Sequence, residues 1–366
     1  MSTKFFKKIE SLPLGDSVTF FLGAGFSKAW DGRYPTSEEL FTIPETVYNK
    51  LSYIPSLLAS NSNYDSFESG ISFQELREIV YELNMYTKYP DTRPRFIDRN
   101  NAFLLMSELK NTILNNFSQF DSPRIQTDEN GKFRRKDSLT TEQGKIVSFF
   151  QEVFKDHVIH SPTIDSPLRF NFITTNYDSI VEKILDRVFP DHPIFNILYR
   201  GITPLYVNQT RAYSRLLPSK YLINLFKING GFEIYRQTDQ YVINYDKSFS
   251  QLEQDAPIIM LPSKEQDYVD DYFQQIFQKT VQVLRTTNIL VIIGYSFSQE
   301  DALLRFLLRQ FAENYFDHNR KEIIYIDIGK ESEMKDKLQS AFPHLKIHVS
   351  PIMEIFSNGL IDWIDS

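Results

Sequence analysis

The stretch Val18–Ser27, VTFFLGAGFS, decides the fold class of this 366-residue chain. Its first half, Val18–Leu22, is an almost continuous apolar run, which is typical of a strand buried on both faces of a parallel sheet. Gly23-Ala24-Gly25 then predicts a tight turn into a helix, and such a turn lets backbone N–H groups approach a phosphate closely. The six-residue dehydrogenase fingerprint is incomplete, because Lys28 occupies its last glycine position. By itself the motif fits phosphate binding and a merely tight turn equally well.

Further apolar runs predict more strands of the same kind: Phe170–Thr174, Leu222–Ile228, Ile258–Leu261, Ile289–Ile293 and Ile323–Ile328. Apolar residues at helical spacing lie between most of them, over Tyr177–Val188, Tyr268–Leu284 and Glu300–Phe311. This alternation predicts an α/β fold with a Rossmann-like, doubly wound parallel sheet. Phe232–Arg236 and Tyr241–Tyr245 alternate around a short polar link, which predicts a β-hairpin.

The strand–helix alternation stops between about Phe41 and Lys145, where helical patterns such as Phe73–Leu83 and Phe103–Asn115 take over. We expect a mostly helical insertion over residues 45–144, after the first βα unit, that ends in an exposed polar loop over Asp121–Glu142. The Rossmann domain would then comprise residues 1–44 and 145–366. We interpret the basic cluster Lys132–Lys136 as part of a solvated loop rather than a binding patch.

The amino-acid composition of the chain argues against several classes of function. A formal net charge of -7 argues against a surface that coats nucleic acid. The absence of cysteine excludes disulfides and thiolate zinc sites and favours a cytoplasmic protein. The longest apolar runs are too short to span a bilayer. The six histidines show no metal-ligand spacing, although His157 or His160, on a predicted helix, could reach the site after folding. We therefore expect no metal, no direct nucleic acid and no membrane.

Small or polar residues follow three other predicted strands. Thr174-Thr175-Asn176-Tyr177-Asp178 and Gly294-Tyr295-Ser296-Phe297-Ser298 each join a strand to a helix, and Asp327 ends a late strand. Ligands of open α/β sheets bind at the carboxyl ends of strands. Asn176 or Asp178 could equally cap the next helix, and Asp327 could hold a ribose diol or cap a loop. Together with the Gly23 turn, these motifs predict one ligand site.

The combined motifs resemble the sirtuin-like superfamily, in the branch of bacterial NAD-consuming proteins found in antiphage defence. Gly23–Ser27 resembles the phosphate loop of that family, Thr174–Asp178 its Thr-x-Asn-x-Asp motif, and Gly294–Ser298 its later cofactor loop. The resemblance implies a NAD site with Asn176 ordering the ribose and a water. Its other expected NAD contacts are Gly23, Ala24, Gly25, Ser27, Thr175, Asp178, Gly294, Ser296 and Asp327. Missing cysteines, and Gly32–Thr36 where deacylases have a Phe-Arg pair, favour NAD hydrolysis over lysine deacylation.

One position departs from the family. Lys227-Ile228-Asn229-Gly230-Gly231 places Asn229 where a catalytic histidine is usual. An amide can hold a ribose hydroxyl but cannot take a proton at any useful pH. The loss of a general base costs about 10²–10⁴ in rate. An engineered substitution, which the intact flanking sequence favours, a naturally weak enzyme, or a base supplied from elsewhere would each account for it.

The resemblance implies a cytoplasmic NAD glycohydrolase that takes NAD as its substrate and releases nicotinamide and ADP-ribose or a cyclic form. It further implies an antiphage effector that depletes NAD, forms a homo-oligomer and is controlled by a HerA-like hexameric ATPase, with Asn176 and Asn229 at the reaction centre. The alternative is a catalytically silent subunit that binds NAD or ADP-ribose for assembly or sensing. A lysine deacylase is the third, weaker hypothesis.

Overall fold

A computed structural model describes most of the chain: residues 2–13, 15–55, 70–92, 97, 99–120, 138–155, 168–190, 198–202, 205–209, 212–215, 223–238, 240–245, 247, 256–265, 270–298, 301–313, 321–342 and 352–366. In chain order the α-helices of these ranges are α1 Ser2–Glu10, α2 Ala24–Trp30, α3 Ser37–Phe41, α4 Glu45–Tyr48, α5 Phe73–Lys88, α6 Arg99–Ser118, α7 Thr141–Phe154, α8 Ile180–Val188, α9 Asp271–Thr286, α10 Ala302–Arg309, α11 Glu331–Ala341 and α12 Leu360–Asp365. The strands are β1 Ser17–Leu22, β2 Ile43–Pro44, β3 Gly70–Ile71, β4 Arg169–Thr174, β5 Leu205–Gln209, β6 Ala212–Arg215, β7 Ile223–Lys227, β8 Ile234–Gln237, β9 Gln240–Ile243, β10 Ile289–Ile293, β11 Glu322–Ile326 and β12 Ile352–Phe356.

The central sheet is six-stranded and parallel, in the order β12-β11-β10-β1-β4-β7. Strand β1 lies inside it, with Val18 beside Ile289 of β10 on one side and Phe170 of β4 on the other. All six β1 residues are buried, as expected for a parallel sheet that is covered on both faces. The predicted α/β, Rossmann-like sheet is therefore confirmed.

Polar side chains inside the sheet satisfy one another. Thr19 Oγ1 lies 2.6 Å from Thr287 Oγ1 and accepts a hydrogen bond from Asn171 Nδ2 at 3.1 Å. Asn224 Nδ2 donates in turn to Asn171 Oδ1 at 2.7 Å. Because buried polar groups cost stability only when they lack partners, this row across β1, β4 and β7 is compatible with an otherwise apolar core.

Aromatic packing shows how the helices cover the sheet. Helices α1, α7 and α12 form one group, in which the Phe5 ring lies 5.8 Å from Phe149 and 5.3 Å from Trp363. Phe20 of β1 packs beneath this group, 6.5 Å from Phe5. The next residue, Phe21, contacts Tyr295 instead, at 5.1 Å. Successive strand residues point to opposite faces, so this alternation assigns the two sides of the sheet. Helices α9, α10 and α11 form the second group.

Residues 45–144, which we predicted as a helical insertion, follow α3 in the chain. Their helices α5 and α6 confirm the patterns over Phe73–Leu83 and Phe103–Asn115 and extend them, and β2 and β3 add a two-residue antiparallel pair. Helix α7 begins at Thr141 with a capping box between Thr140 and Gln143, so Glu142 is helical and the prediction of a loop there was wrong. Residues 121–137, including the basic cluster, lie outside the described residues.

The prediction of a sheet strand at Ile258–Leu261 was also wrong. A single antiparallel bridge joins Ile259 to Gly230, because the segment follows the loop after β7. The Ile258 amide donates to Ile234 O, and the Met260 amide donates to Asn229 O. The predicted hairpin is confirmed as β8 and β9, which pair with β5 and β6 in a second sheet of order β6-β5-β9-β8.

Candidate functional site

The candidate site lies at the carboxyl edge of the central sheet. In register, Leu22 of β1 pairs with Thr174 of β4 and with Ile293 of β10, and Ile293 pairs with Ile326 of β11. The loops after these four strands therefore begin side by side. This is the edge at which open α/β sheets bind ligands.

The glycines of the first loop are required by a second loop. A Cβ on Gly23 would lie 2.4 Å from Gly294 O, and one on Gly25 would lie 2.7 Å from Gly294 Cα. Gly294 itself has φ +61°, and a Cβ there would lie 2.4 Å from the Phe26 amide nitrogen. The Gly25 amide donates to Gly294 O at 2.9 Å. Close contact between the loops after β1 and β10 thus explains all three glycines without a ligand.

Asn176 connects the second motif to the glycine turn. Its Nδ2 donates to Gly23 O at 2.9 Å and to Ser27 Oγ at 2.8 Å. Ser27 Oγ donates onward to Asp178 Oδ2 at 2.6 Å. The loops after β1 and β4 are therefore held together by one chain of hydrogen bonds that joins three of the predicted site residues.

Asp178 belongs to this chain and also contacts the start of α8. Its Oδ1 accepts a hydrogen bond from the Ile180 amide at 3.0 Å, and Ile180 is the first residue of α8. Burial raises the pKa of the Asp178 carboxyl, and the Ser27 hydrogen bond offsets part of that rise. The N-cap of α8 is Ser179, so the prediction that Asn176 or Asp178 caps this helix was wrong.

Asn229 lies beside the second motif. Its Nδ2 donates to Thr175 O at 3.1 Å, and its own carbonyl oxygen accepts from the Met260 amide at 2.8 Å. Its Oδ1 is buried and has no hydrogen-bond partner among the described residues. A buried acceptor without a donor costs stability, so this oxygen is a candidate contact for a hydrogen-bond donor.

The conformation and close packing of the chain after Asn229 explain the two glycines that follow it. Gly230 has φ +83°, and a Cβ on it would lie 1.9 Å from Ile258 O. A Cβ on Gly231 would lie 2.6 Å from Glu233 Oε2. The tight turn therefore allows Asn229 and Glu233 to approach the Thr175–Asp178 loop from the same side.

Ser296 and Asp327 lie on the two loops farther along the sheet. Ser296 is exposed, and the buried Phe297 next to it has φ +53°, which is unusual for a residue with a side chain. Tyr325 Oη donates to Tyr295 O at 3.0 Å and lies 3.2 Å from Asp327 Oδ2. Asp327 Oδ1 also accepts from the Ile328 amide at 2.9 Å, which is the predicted capping contact. Burial raises the pKa of Asp327.

A buried ionic cluster behind the second motif was not predicted from the sequence. Lys227 Nζ lies 3.0 Å from Glu182 Oε1 and 2.7 Å from Glu233 Oε1, and all three side chains are at most 3% exposed. Tyr245 Oη donates to Glu182 at 3.1 Å and accepts from Arg200 at 2.7 Å. The one available signal was a lysine at the end of an apolar strand, Leu225-Phe226-Lys227.

The helical insertion borders the site through aromatic contacts. The Phe117 ring of α6 lies 4.7 Å from Phe232, which lies 5.6 Å from Tyr177 in the second motif. A crevice too narrow to hold a water molecule runs between these elements; it is lined by Phe117, Tyr177, Asp178, Ser179, Phe232, Glu233 and Tyr245. The insertion therefore forms one wall beside Asp178.

The six histidines, including His157 and His160, lie outside the described residues. Within the described ranges, no three His, Asp or Glu side chains converge as a metal site requires. Nor does any helix of those ranges have the length and apolar character needed to cross a membrane.

One part of the chain is similar to a known family. Residues 171–344, which carry Asn176, Asn229, Gly294 and Asp327, match a SIR2-like domain.

The whole chain was also compared with individual proteins. No curated protein matches the chain. Solved structures that resemble it include a Sir2 variant with deacetylated p53 peptide and 3'-O-acetyl ADP-ribose, and Sir2Tm bound to a propionylated peptide. Each has a TM-score of 0.37 and 9% identity and covers 99% of this chain and 95% of its own. A third, from work on the mechanism and regulation of Sir2 enzymes, has a TM-score of 0.34 and 11% identity, with 93% of this chain and 91% of its own covered.

Proposed function

We propose that this protein is a NAD glycohydrolase, which splits NAD into nicotinamide and ADP-ribose. The observation that carries the proposal is the buried Oδ1 of Asn229, which has no partner among the described residues, while Nδ2 of the same amide donates to Thr175 O, in the region that matches a SIR2-like domain. This acceptor fits a ribose hydroxyl, because a hydroxyl donates the hydrogen bond that the atom lacks. The pyrophosphate would lie near Gly23, Ala24 and Gly25, at the start of α2.

The reaction releases one proton from the attacking water, to a base or to the solvent, and needs no proton donated to the leaving group. Nicotinamide leaves a pyridinium as a neutral molecule, so no general acid is required. The residues must orient the ribose, exclude bulk water and position one nucleophilic water as positive charge develops on the sugar. Asn176 is our candidate for ordering the ribose and the water, because Gly23 O and Ser27 Oγ fix its amide. Thr175 and Asp178 shape the same loop, and Gly294, Ser296 and Asp327 would hold the remainder of the dinucleotide.

Nicotinamide release from NAD by the purified full-length protein tests the proposal. Asn176→Ala should lower the rate about 10²-fold, since misplacing the reacting groups by about 1 Å costs that much. Asn288→Ala is a matched control, because Asn288 is a buried asparagine at the opposite edge of the sheet, where its Oδ1 accepts from the Ser17 amide at 3.0 Å. If Asn288→Ala reduced the rate as much as Asn176→Ala, the assignment of the site would fail.

A catalytically silent NAD- or ADP-ribose-binding subunit is the second candidate, and Asn229 is the observation that favours it. Without a base at this position the site can bind without turning over. Thermal stabilisation by ADP-ribose, together with no nicotinamide release even from an Asn229→His variant, would select this function.

The biological role we propose follows from the resemblance of Gly23–Ser27, Thr174–Asp178 and Gly294–Ser298 to bacterial antiphage proteins. In that role the protein is a cytoplasmic, homo-oligomeric effector that depletes NAD when a HerA-like ATPase partner activates it. The insertion, residues 45–144, is our candidate for oligomer or partner contacts. Co-purification with such an ATPase, and NAD loss in infected cells only when both proteins are present, would support this role; a constitutive loss of NAD without the ATPase would exclude partner control.

A further inference from the structure

Lys227 contacts more than its two carboxylate partners. Besides Glu182 and Glu233, its Nζ donates to the backbone carbonyl oxygen of Asp178 at 2.6 Å. The carbonyl accepts a hydrogen bond from the ammonium group, and the two carboxylates form ion pairs with it. Lys227 thus connects the end of β7 directly to the loop that carries Asn176.

Two side chains from the end of β7 hold that loop at both of its ends. Lys227 donates to Asp178 O, and Asn229, two residues later, donates to Thr175 O at 3.1 Å. Between these two carbonyls lies Asn176, whose own amide is fixed by Gly23 O and Ser27 Oγ. The position of Asn176 therefore depends on contacts from β7 as well as from the glycine turn.

The cluster keeps Lys227 ionised in a buried place. Burial pulls the pKa of the lysine down, but the charges of Glu182 and Glu233 outweigh it and leave the pKa above its ordinary value. Burial raises the pKa of Glu233, and Lys227 offsets part of that rise. A charged donor forms a stronger and shorter hydrogen bond than a neutral one, which suits a contact that must hold a loop.

We propose that Lys227 is a positioning residue, held by Glu182 and Glu233, that fixes the Thr175–Asp178 loop and through it places Asn176 in the site. The consequence for catalysis rests on the proposed NAD glycohydrolase function, whereas the consequence for the loop does not. Lys227 lies behind the loop and acts on the ligand only through Asn176. Its loss should therefore lower kcat rather than raise KM.

The test compares Lys227→Met with Lys321→Met. Lys321 is a matched control because it is also a buried lysine, 5% exposed, whose Nζ donates to two backbone carbonyls, Arg285 O at 2.9 Å and Phe311 O at 2.6 Å. It lies just before β11, at the amino edge of the sheet. Both variants lose a buried cation with similar bonds, and only one of them loses contact with the loop.

Two measurements distinguish the effect of Lys227 on the loop from its effect on catalysis. Hydrogen exchange followed by mass spectrometry should be about tenfold faster for the peptide that spans Thr175–Ile180 in Lys227→Met, and unchanged there in Lys321→Met. In an Asn229→His background, Lys227→Met should lower kcat about 10- to 100-fold while KM changes by less than about threefold. The charge-balanced pair Lys227→Met/Glu233→Gln should behave like Lys227→Met, and it replaces that variant if Lys227→Met does not fold.

Unchanged exchange of the loop peptide in the folded Lys227 variants would overturn the proposal, as would an equal effect of Lys321→Met. If exchange responds as expected but no variant binds or hydrolyses NAD, positioning of the loop stands and the proposed enzymatic function fails.

Discussion

Replacement of Asn229 by histidine should convert a weak or silent site into an active one. Asn229 Nδ2 donates to Thr175 O at 3.1 Å, and its Oδ1 is buried without a partner. In a histidine, Nδ1 branches from the same γ position as the asparagine amide nitrogen, so an Nδ1–H group can take over the bond to Thr175 O. The hydrogen bond of one ring nitrogen sets the tautomer, which leaves Nε2 unprotonated and available as a base.

The size of the effect follows from the role of the base. A positioned general base contributes about 10²–10⁴ in rate, which corresponds to about 3–5 kcal/mol of activation free energy. The rate of Asn229→His should also rise as the pH passes about 6.5, the ordinary pKa of histidine, because only the neutral ring accepts a proton. The wild-type protein has no titrating group at this position and should show no inflection from it.

The assay is nicotinamide release measured across this pH range for wild type, Asn229→His and Asn229→Gln. The glutamine variant is the control, because it changes the length of the side chain at the same place without adding a base. Thermal unfolding of each variant establishes that the fold is intact. Equal rates for the histidine and glutamine variants would refute the argument, and a faster histidine variant without the inflection would place the base elsewhere.

Three further predictions concern stability. Gly294→Ala should lower the free energy of unfolding by about 1–3 kcal/mol in urea titration, because the new Cβ meets the Phe26 amide in an overpacked contact and φ is +61°. Gly144→Ala, in open space on α7, should instead raise it by about 0.5–1 kcal/mol; a loss there would contradict the helical assignment. Asp327→Asn should remove a pH dependence. The folded Asp327 carboxyl has a raised pKa and binds its proton more tightly than in the unfolded chain, so the wild type loses stability as pH rises from 3.8 through the raised value. An identical decline in Asp327→Asn, followed by thermal unfolding from acid to neutral pH, would show that another group causes it.

The central strands could be predicted because most of their residues are apolar, although Thr19, Asn171 and Asn224 lie within them. Strand β12 could not, since Ile352–Phe356 contains Glu354 and lies at the edge of the sheet, where Met353 is 41% exposed. Edge strands have one partner, and their residues need not be uniformly apolar. Ile258–Leu261 shows the opposite error: Ile259 and Leu261 are buried and the other two side chains are half-buried, yet the backbone pairs with the loop after β7.

The site residues could be predicted as a group, because strand ends at one edge of a parallel sheet must converge. Which residue bonds to which could not, since Asn176 reaches Gly23 across 153 positions of the chain. The reason for Gly23 and Gly25 could not be predicted either, because it depends on how closely the loop with Gly294 packs against them. The ionic cluster of Lys227 was missed because its partners come from α8 and from the loop before β8, which only the tertiary fold brings together.

Hydrogen bonds join the loops after β10, β1, β4 and β7 in the order in which these strands lie in the sheet. Gly294 O accepts from the Gly25 amide, Gly23 O accepts from Asn176, and Thr175 O accepts from Asn229. Each loop thus offers a backbone carbonyl to its neighbour, from β10 through β1 and β4 to β7. Groups in one hydrogen-bonded network do not act independently. The turn at Gly23 and the side chain of Asn229 therefore belong to one hydrogen-bonded network. A ligand that binds between them would contact several loops at this edge of the sheet rather than a single motif.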